Sequence, residues 1–412
     1  MSEKDKRFVA FDVHKSYVTV GAVNIAQEVI LPVIKVPFRK FEGWIAKKLL
    51  PTDEVVLEAT TNAWHVYDLL EPLVSKVVVA HPYHVKLIAS AVVKTDKRDT
   101  LNLARLLAAK MVPAVWVPPV EVRELRAIIS HRERLISQQT AAKNRLRSVL
   151  HRHNIVPPSG GVFKADVREW WARLDVPGSE KLRIKQDLAT LDHLKPLVAE
   201  VDQELARLSS CEPWSSQMTY IIQLPGFGLL TSMTVLSAIG DITRFSKAKK
   251  LVGYSGLASK VHSSGQTHRS GGITKQGRRE LRAAMVEAAW VAVRHHPHWE
   301  DKFESLKYRI GSKKAIVAIA RKLLVLVWNV LTAQETDRQA NADKVAFKLM
   351  VWSQRLGAEH RQGLNTRQFT RYHLLKLGIG HDLPYVVRGG CKRLIAPVEE
   401  VLALRPELLA SD

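Results

Sequence analysis

Four acidic residues carry the first chemical signal in this 412-residue sequence. Asp12 lies in "RFVAFDVH", Glu58 stands near the end of "EVVLEAT", and Asp96 and Asp99 are three residues apart in "VVKTDKRDTLNLARLL". An acid inside an otherwise apolar strand is costly to desolvate without a partner. Four carboxylates drawn together repel one another and raise one another's pKa values. A divalent cation reverses that balance, and hard oxygen ligands favour Mg2+, with Mn2+ as the alternative. Two such ions about 3.5–4 Å apart can hold the attacking and leaving oxygens of a phosphoryl displacement. The last pair has a competing explanation, because Asp96 as a helix N-cap with Asp99 at N3 resembles a capping box. That explanation leaves Asp12 and Glu58 unaccounted for.

The second signal is "HSSGQTHRSGGITKQGRRELR", His262 to Arg282. It reads either as a flexible basic loop that meets phosphates through Lys275, Arg278, Arg279 and Arg282, or as the carrier of a nucleophile, Ser263 or Ser264. Serine needs a base or a metal to become a good nucleophile. No Ser-His-Asp arrangement is visible within the segment, so activation would have to come from the acidic cluster. Upstream, "LPGFG" resembles a helix-hairpin-helix turn, in which Gly226 and Gly228 let the backbone approach a phosphate and the next helix offers free N–H groups. His295, His296 and His298 in "RHHPHW" lack further ligands at metal spacing and read as surface or packing residues.

These residues need elements to hold them. Over residues 7–110 the pattern gives three strands ("RFVAFDVH", "SYVTVGAVN", "EVILPVIKVP"), a helix ("FRKFEGWIAKKLL"), a strand ("EVVLEAT"), a helix ("NAWHVYDLLEPL"), a strand ("KVVVAHP") and a helix opening at Asp96. Pro32 and Pro37 place the third strand at an edge. An antiparallel opening followed by parallel α/β units is the topology of an RNase H-like (RuvC-like) domain. There the first and fourth strands are parallel neighbours, so Asp12 and Glu58 stand side by side and the last helix brings Asp96 and Asp99. Residues 121–153 and 179–208 read as two long helices forming a hairpin or coiled coil, with Pro196 as a kink or break and basic residues such as Arg145 and Arg147 between the apolar positions. A mostly helical region with the hairpin-like turn follows. The fold class is therefore α/β plus α, divided at 1–115, 116–212, 213–335 and 336–412. No chemistry is legible in the last stretch.

Lys plus Arg total 62 against 40 acids, a formal net charge of +22. Self-repulsion of that size is unfavourable unless a polyanion neutralises it, with nucleic acid the first partner class and an anionic membrane the second. The most apolar run, "AIVAIARKLLVLVWNVLT", carries Arg321 and Lys322 in its middle and reads as a buried helix rather than a membrane span. The N-terminus shows no signal-peptide core, and two distant cysteines, Cys211 and Cys391, suggest a reducing cytoplasm without a disulfide framework.

"FVAFDVHK", "VVLEAT" and "KTDKRDTLNLARLL" resemble the DEDD motifs of the insertion sequence 110 family of transposases, relatives of the Piv invertases. "LPGFGLLTSMTVLSAIGDITRFSKAKKLVGYSGL" and "SSGQTHRSGGITKQGRRELRAAMVEAAW" are similar to that family's second domain. The resemblance spans about residues 7–110 and 215–295. It implies that Asp12, Glu58, Asp96 and Asp99 are the DEDD acids binding two Mg2+, and that the nucleophilic serine precedes a glycine. The doublet Ser263-Ser264 before Gly265 fits that position, with Ser263 favoured. It further implies a recombinase guided by a bridge RNA, acting on double-stranded DNA as a dimer or tetramer in which the acidic site of one subunit meets the serine of another. Two other readings compete. One is a structure-selective endonuclease of the junction-resolvase kind, with no covalent intermediate. The other is a non-catalytic nucleic-acid-binding protein.

Overall fold

The computed structural model describes residues 6–88, 95–264 and 267–410, with the side chains of 165, 262–264, 267–270 and 409–410 excepted. The chain divides into two compact units, Met1–Pro119 and Val120–Asp412.

The first unit is built on a five-stranded sheet. β1 (Phe8–Val13) pairs antiparallel with β2 (Tyr17–Val23), which pairs antiparallel with β3 (Val29–Pro37). On its other side β1 runs parallel to β4 (Glu54–Glu58), and β4 parallel to β5 (Lys76–Ala80), giving the order β3-β2-β1-β4-β5. This is the RNase H-like order expected from the sequence, with the proline-bearing β3 at the edge. Helices α1 (Phe41–Lys48) and α2 (Ala63–Leu70) bury Phe41, Ile45, Val66 and Leu70 against Phe11, Val13, Val55 and Leu57 on one face. A short α3 (Pro82–Ile88) follows β5, and α4 (Asp96–Ala108) covers the opposite face with Leu103, Ala104 and Leu107 over Phe8, Ala10 and Val56. Period-2 alternation thus sends Phe8, Ala10 and Asp12 toward α4, and likewise Glu54, Val56 and Glu58.

Two contacts fix α4 on the sheet. The Thr100 hydroxyl is fully buried, donates to the Asp96 carbonyl at 2.7 Å, and lies 3.0 Å from the Thr19 hydroxyl. With Thr100's one proton committed, Thr19 donates in that bond. Thr19 is also the register partner of Asp12. On β2, Gly21 leaves room for the helix: a Cβ there would lie 2.9 Å from Val33 Cγ2 and 3.4 Å from Leu101 Cδ2.

The second unit opens with α5 (Val120–Arg152) and α7 (Gly178–Leu208), joined through a connection that holds the short α6 (Arg168–Ala172). Ion pairs Arg132–Asp202, Arg145–Asp187 and Arg152–Glu180 link α5 to α7, and as one residue number rises the other falls, so the pair is antiparallel. Exposed ion pairs are worth about 0–1 kcal/mol each. The apolar seam of Ala142, Leu146, Leu150, Ile184 and Leu191, closed by Trp171, is the larger contribution. Of the kink or break expected at Pro196, a break is absent: Pro196 lies inside a continuous helix, where packing against α5 outweighs the one lost backbone bond.

The core of this unit continues through α8 (Trp214–Ile222), α9 (Leu229–Ile239), α10 (Ala248–Ser255), the hairpin β6 (Ser259–Ser264) and β7 (Thr267–Ile273), then α11 (Arg279–His295), α12 (Pro297–Ile310) and α13 (Ser312–Ala333). Helix α13 is long and apolar enough to cross a membrane, yet half of its most apolar window is buried within the unit, where it packs on α8, α10, α11 and α12. That agrees with the buried helix expected from the mid-run Arg321 and Lys322.

The C-terminal stretch, α14 (Ala342–Arg355), α15 (Thr366–Lys376), the hairpin β8 (Tyr385–Arg388) and β9 (Cys391–Leu394), and α16 (Val398–Leu404), is built into that core. Trp352 donates its indole N–H to Ser209 at 2.8 Å, and Lys348 donates to the carbonyls of Ile222, Gln223 and Leu224, capping α8. His373 Nδ1 shares a 2.8 Å hydrogen bond with the Thr219 hydroxyl, and burial pushes the imidazolium down to about 3. A folded-state pKa below the ordinary value means the unfolded chain binds the extra proton. Stability from His373 is therefore present above pH about 6.5 and is lost as pH falls from there toward 3, with a slope approaching about 1.4 kcal/mol per pH unit. Urea unfolding followed between pH 7 and 4 should show that acid destabilisation, and His373→Gln should flatten it while lowering stability at pH 7.

Candidate active site

Helix α4 begins at Thr95, which is the N-cap: its side chain accepts from the Arg98 N–H, and Asp96 occupies N1 with Asp99 at N4. The capping-box assignment of Asp96 and Asp99 is thereby corrected. Thr95 performs that task, so the two aspartates are not needed as caps, although both still favour the positive end of the helix.

Asp12, Glu58 and Asp99 line one cleft of about 260 Å3, closed on its other sides by Pro82, Val85 and Lys86 of α3 and by Asn102 and Leu103 of α4. The fourth acid joins through a histidine. His14 Nε2 lies 3.2 Å from Asp12 Oδ2 and 3.5 Å from Asp96 Oδ2. Asp96 is further held by the Tyr17 hydroxyl at 3.1 Å, and the Tyr17 ring stacks on His14 with centroids 4.4 Å apart. Lys35 Nζ sits over the Tyr17 ring, 3.3 Å from its centroid. All four acids expected from the sequence are thus brought to one end of the sheet, on the face covered by α4.

Charge strain marks the spot. Burial pushes the Asp12 carboxyl above the usual range; His14 pulls it back, while Asp96 and Asp99 push it up further. Clustered carboxylates that raise one another's pKa are what a bound cation relieves. Asp12, His14 and Asp96 each offer an atom, all within 4.8 Å of one another. His14 Nε2 is buried and has no aligned hydrogen-bond partner among the described residues. Two carboxylate oxygens and an imidazole nitrogen brought this close suit a divalent ion. The residues fit.

His14 was missed in the sequence reading. The signal was present: two residues beyond Asp12, the strand alternation that turns Phe8, Ala10 and Asp12 toward α4 continues to position 14.

The segment expected as a basic loop is instead largely an antiparallel hairpin, with Ser263 opposite His268 and Ser264 opposite Thr267 in backbone register. β-branched and polar residues alternating around a central glycine suffice to form it. The side chains of Ser263 and Ser264, and Gly265 itself, lie outside the described residues. Of the basic positions that follow, Lys275 and Arg279 are exposed. Arg278 lies 3.4 Å from the Tyr254 hydroxyl and 3.1 Å from Glu280, and Arg282 donates to the Ser255 carbonyl at 3.0 Å, so both hold α11 against α10. Arg145 is committed to Asp187 across the helical pair, and Arg147 stacks over Phe163. In the turn between α8 and α9, Gly226 has φ +84°, and a Cβ there would lie 2.2 Å from the Ala288 carbonyl oxygen. Its glycine is therefore required by close packing on α11. Gly228, at the N-cap of α9, faces open space. His296 caps α12 in sequence and contacts the Gln339 carbonyl at 3.2 Å.

A DEDD transposase family model matches residues 9–155, and the model described as Transposase IS116/IS110/IS902 family matches residues 218–304. The chain is 28% identical over 291 residues to the transposase for insertion sequence element IS1111A of Coxiella burnetii, covering 69% of this chain and 79% of that protein. It is 27% identical over 291 residues to the pilin gene-inverting protein of Moraxella bovis (68% and 80% covered). It is 23% identical over 339 residues to the transposase for IS1533 of Leptospira borgpetersenii (77% and 94% covered). A DEDD sheet domain followed by the second conserved domain, together with these relatives, makes the chain a transposase, a DNA phosphoryl-transfer enzyme, of the IS110/IS116/IS902 family.

Proposed function

We propose that this transposase cuts and rejoins DNA by transesterification, with Ser263 as nucleophile and Asp12, Glu58, Asp96 and Asp99 as the acids that hold two divalent cations, Mg2+ or Mn2+, with His14 as an additional ligand. The observation that carries the reading is the convergence of all four acids, from three separate segments, on one end of the sheet, with the His14 imidazole between Asp12 and Asp96. When bound, such ions supply the positive charge that offsets charge developing on the phosphoryl oxygens.

The protein's own groups have separate tasks. Thr19 and Thr100 hold α4, and therefore Asp96 and Asp99, at a fixed height over β1 and β2. Tyr17 orients Asp96. The Ser263 oxygen forms a bond to phosphorus as the bond to the departing DNA oxygen breaks; the serine gives up its proton and the departing oxygen gains one. Attack by a second strand's hydroxyl then releases the serine. The number of phosphodiester bonds is conserved, so rejoining needs no outside energy source. Acids and serine belong to different units of the chain, and we infer that they meet in an assembly of several copies, a dimer or tetramer. A bridge RNA would select the DNA, with the +22 charge balancing both polyanions in the cytoplasm. The exposed Lys275 and Arg279, and the open backbone at Gly228, are the phosphate contacts this reading favours.

A junction-resolvase-like nuclease would use the same acids on water. The separating experiment is a nicked DNA substrate incubated with Mg2+ and then denatured. Transesterification leaves protein covalently joined to one DNA end; direct hydrolysis leaves free ends only.

A further inference from the structure

A groove of about 1250 Å3 lies in the second unit, beyond the roughly 300–1000 Å3 usual for small-molecule sites. One wall is the base of the serine-bearing hairpin, through Ser259, Gly271 and Gly272; the other is the face of α13 that carries Lys314, Val317, Ala318, Arg321 and Val325 at helical spacing. Six cations line it: Lys302, Lys313, Lys314, Arg321, Lys322 and Arg338. The one acid in the lining, Asp337, has its carboxyl pushed up by burial, which reduces its opposition to an anion. Among the described residues, none of Lys313, Lys314, Arg321, Lys322 and Arg338 has an acidic partner within ion-pair distance.

We propose that this groove holds an unpaired DNA strand and leads it to the hairpin serine. The floor decides between strand and duplex. A duplex shows a protein its phosphates and groove edges and keeps its base faces stacked inside, so the aliphatic surface of Val317, Ala318 and Val325 would have nothing to cover it. An unpaired strand presents bases to an apolar floor and phosphates to a cationic rim at once. DNA is favoured over RNA because the groove shares its wall with the hairpin whose serine must meet the strand it cuts. In that respect the inference rests on the reading of Ser263.

The test uses the full chain in EDTA, so that no cutting occurs, with fluorescein-labelled 20-mers of one sequence as single-stranded DNA, duplex DNA and single-stranded RNA. Binding is followed by anisotropy across a salt series. The variant Lys314→Gln/Arg321→Gln/Lys322→Gln should weaken single-stranded DNA binding about tenfold and reduce the magnitude of the salt slope by about 2, near 0.7 per lost charge. Duplex binding should change less than twofold. A control with the same charge loss in the first unit, Lys40→Gln/Lys47→Gln/Lys48→Gln, should leave the single-strand slope nearly unchanged. Ala318→Glu, which puts a negative group on the floor, should also weaken the single strand selectively. Equal loss on the duplex, loss on RNA alone, an equal effect of the control, or no effect would each overturn the assignment. Failure here with a serine-dependent covalent adduct intact sinks the groove and spares the serine; the reverse outcome, weakened strand binding with no adduct, does the opposite.

Discussion

Asp12→Ala is expected to abolish DNA cutting, by at least about 1000-fold, while leaving DNA affinity in EDTA within about twofold of the wild type. Losing a cation's stabilisation of a phosphoryl displacement removes several kcal/mol, and each ~1.4 kcal/mol is a factor of ten in rate. Asp12 is positioned for this effect because it is the acid on which the others converge: it shares the cleft with Glu58 and Asp99, and it lies within 3.2 Å of the imidazole that also approaches Asp96. The fold should not suffer. Asp12 is a partly buried carboxylate whose pKa is pushed up by burial and by Asp96 and Asp99, so removing it relieves repulsion in the metal-free protein. A melting temperature equal to or above that of the wild type would accompany the loss of activity. Asp99→Ala should behave in the same way. Cutting at wild-type rates by either variant would remove the acids from the mechanism.

Ser263→Ala is expected to eliminate the covalent protein–DNA adduct and to reduce strand exchange by at least about 1000-fold, since no other hydroxyl is bonded to phosphorus in the proposed scheme. Metal binding should be unaffected, because the acids and the hairpin belong to separate units of the chain. Ser264→Ala is the internal control and should retain the adduct. An inactive Ser264→Ala beside an active Ser263→Ala would exchange the two assignments. Full activity in both would favour the nuclease reading, in which the acids act on water alone.

Much of the first unit was legible because its sequence pattern and its burial share one period. Asp12 and Glu58 interrupt apolar strands at positions that face α4, and a half-buried acid there needs a reason. The parallel pairing of β1 with β4, and the edge position of β3, followed from element order and two prolines. His14 escaped because a histidine after a strand reads as an ordinary turn residue until the third dimension brings Asp96 beside it. The N-cap of α4 differs by one residue from the reading of Asp96 as cap because Thr95 and Asp96 are both good N-caps, and only backbone geometry separates them. Pro196 reads as a kink or break from its local cost, yet the tertiary packing of α5 and α7 keeps the helix continuous there. The C-terminal stretch was opaque for a different reason. Its anchoring groups, Lys348, Trp352 and His373, are polar residues whose partners lie about 125 to 155 positions away, and no local pattern announces such pairs. Arg278 and Arg282 read as phosphate contacts by composition; in the fold each also donates within the unit, to Tyr254 and Glu280 and to the Ser255 carbonyl.

The most direct test of the acidic centre is Mn2+ binding to the full-length protein, followed by electron paramagnetic resonance of the free ion. Two Mn2+ per chain are expected for the wild type, with Mg2+ competing, and Asp12→Ala should weaken or eliminate both. No saturable binding by the wild type, or binding that Asp12→Ala leaves unchanged, would contradict the account.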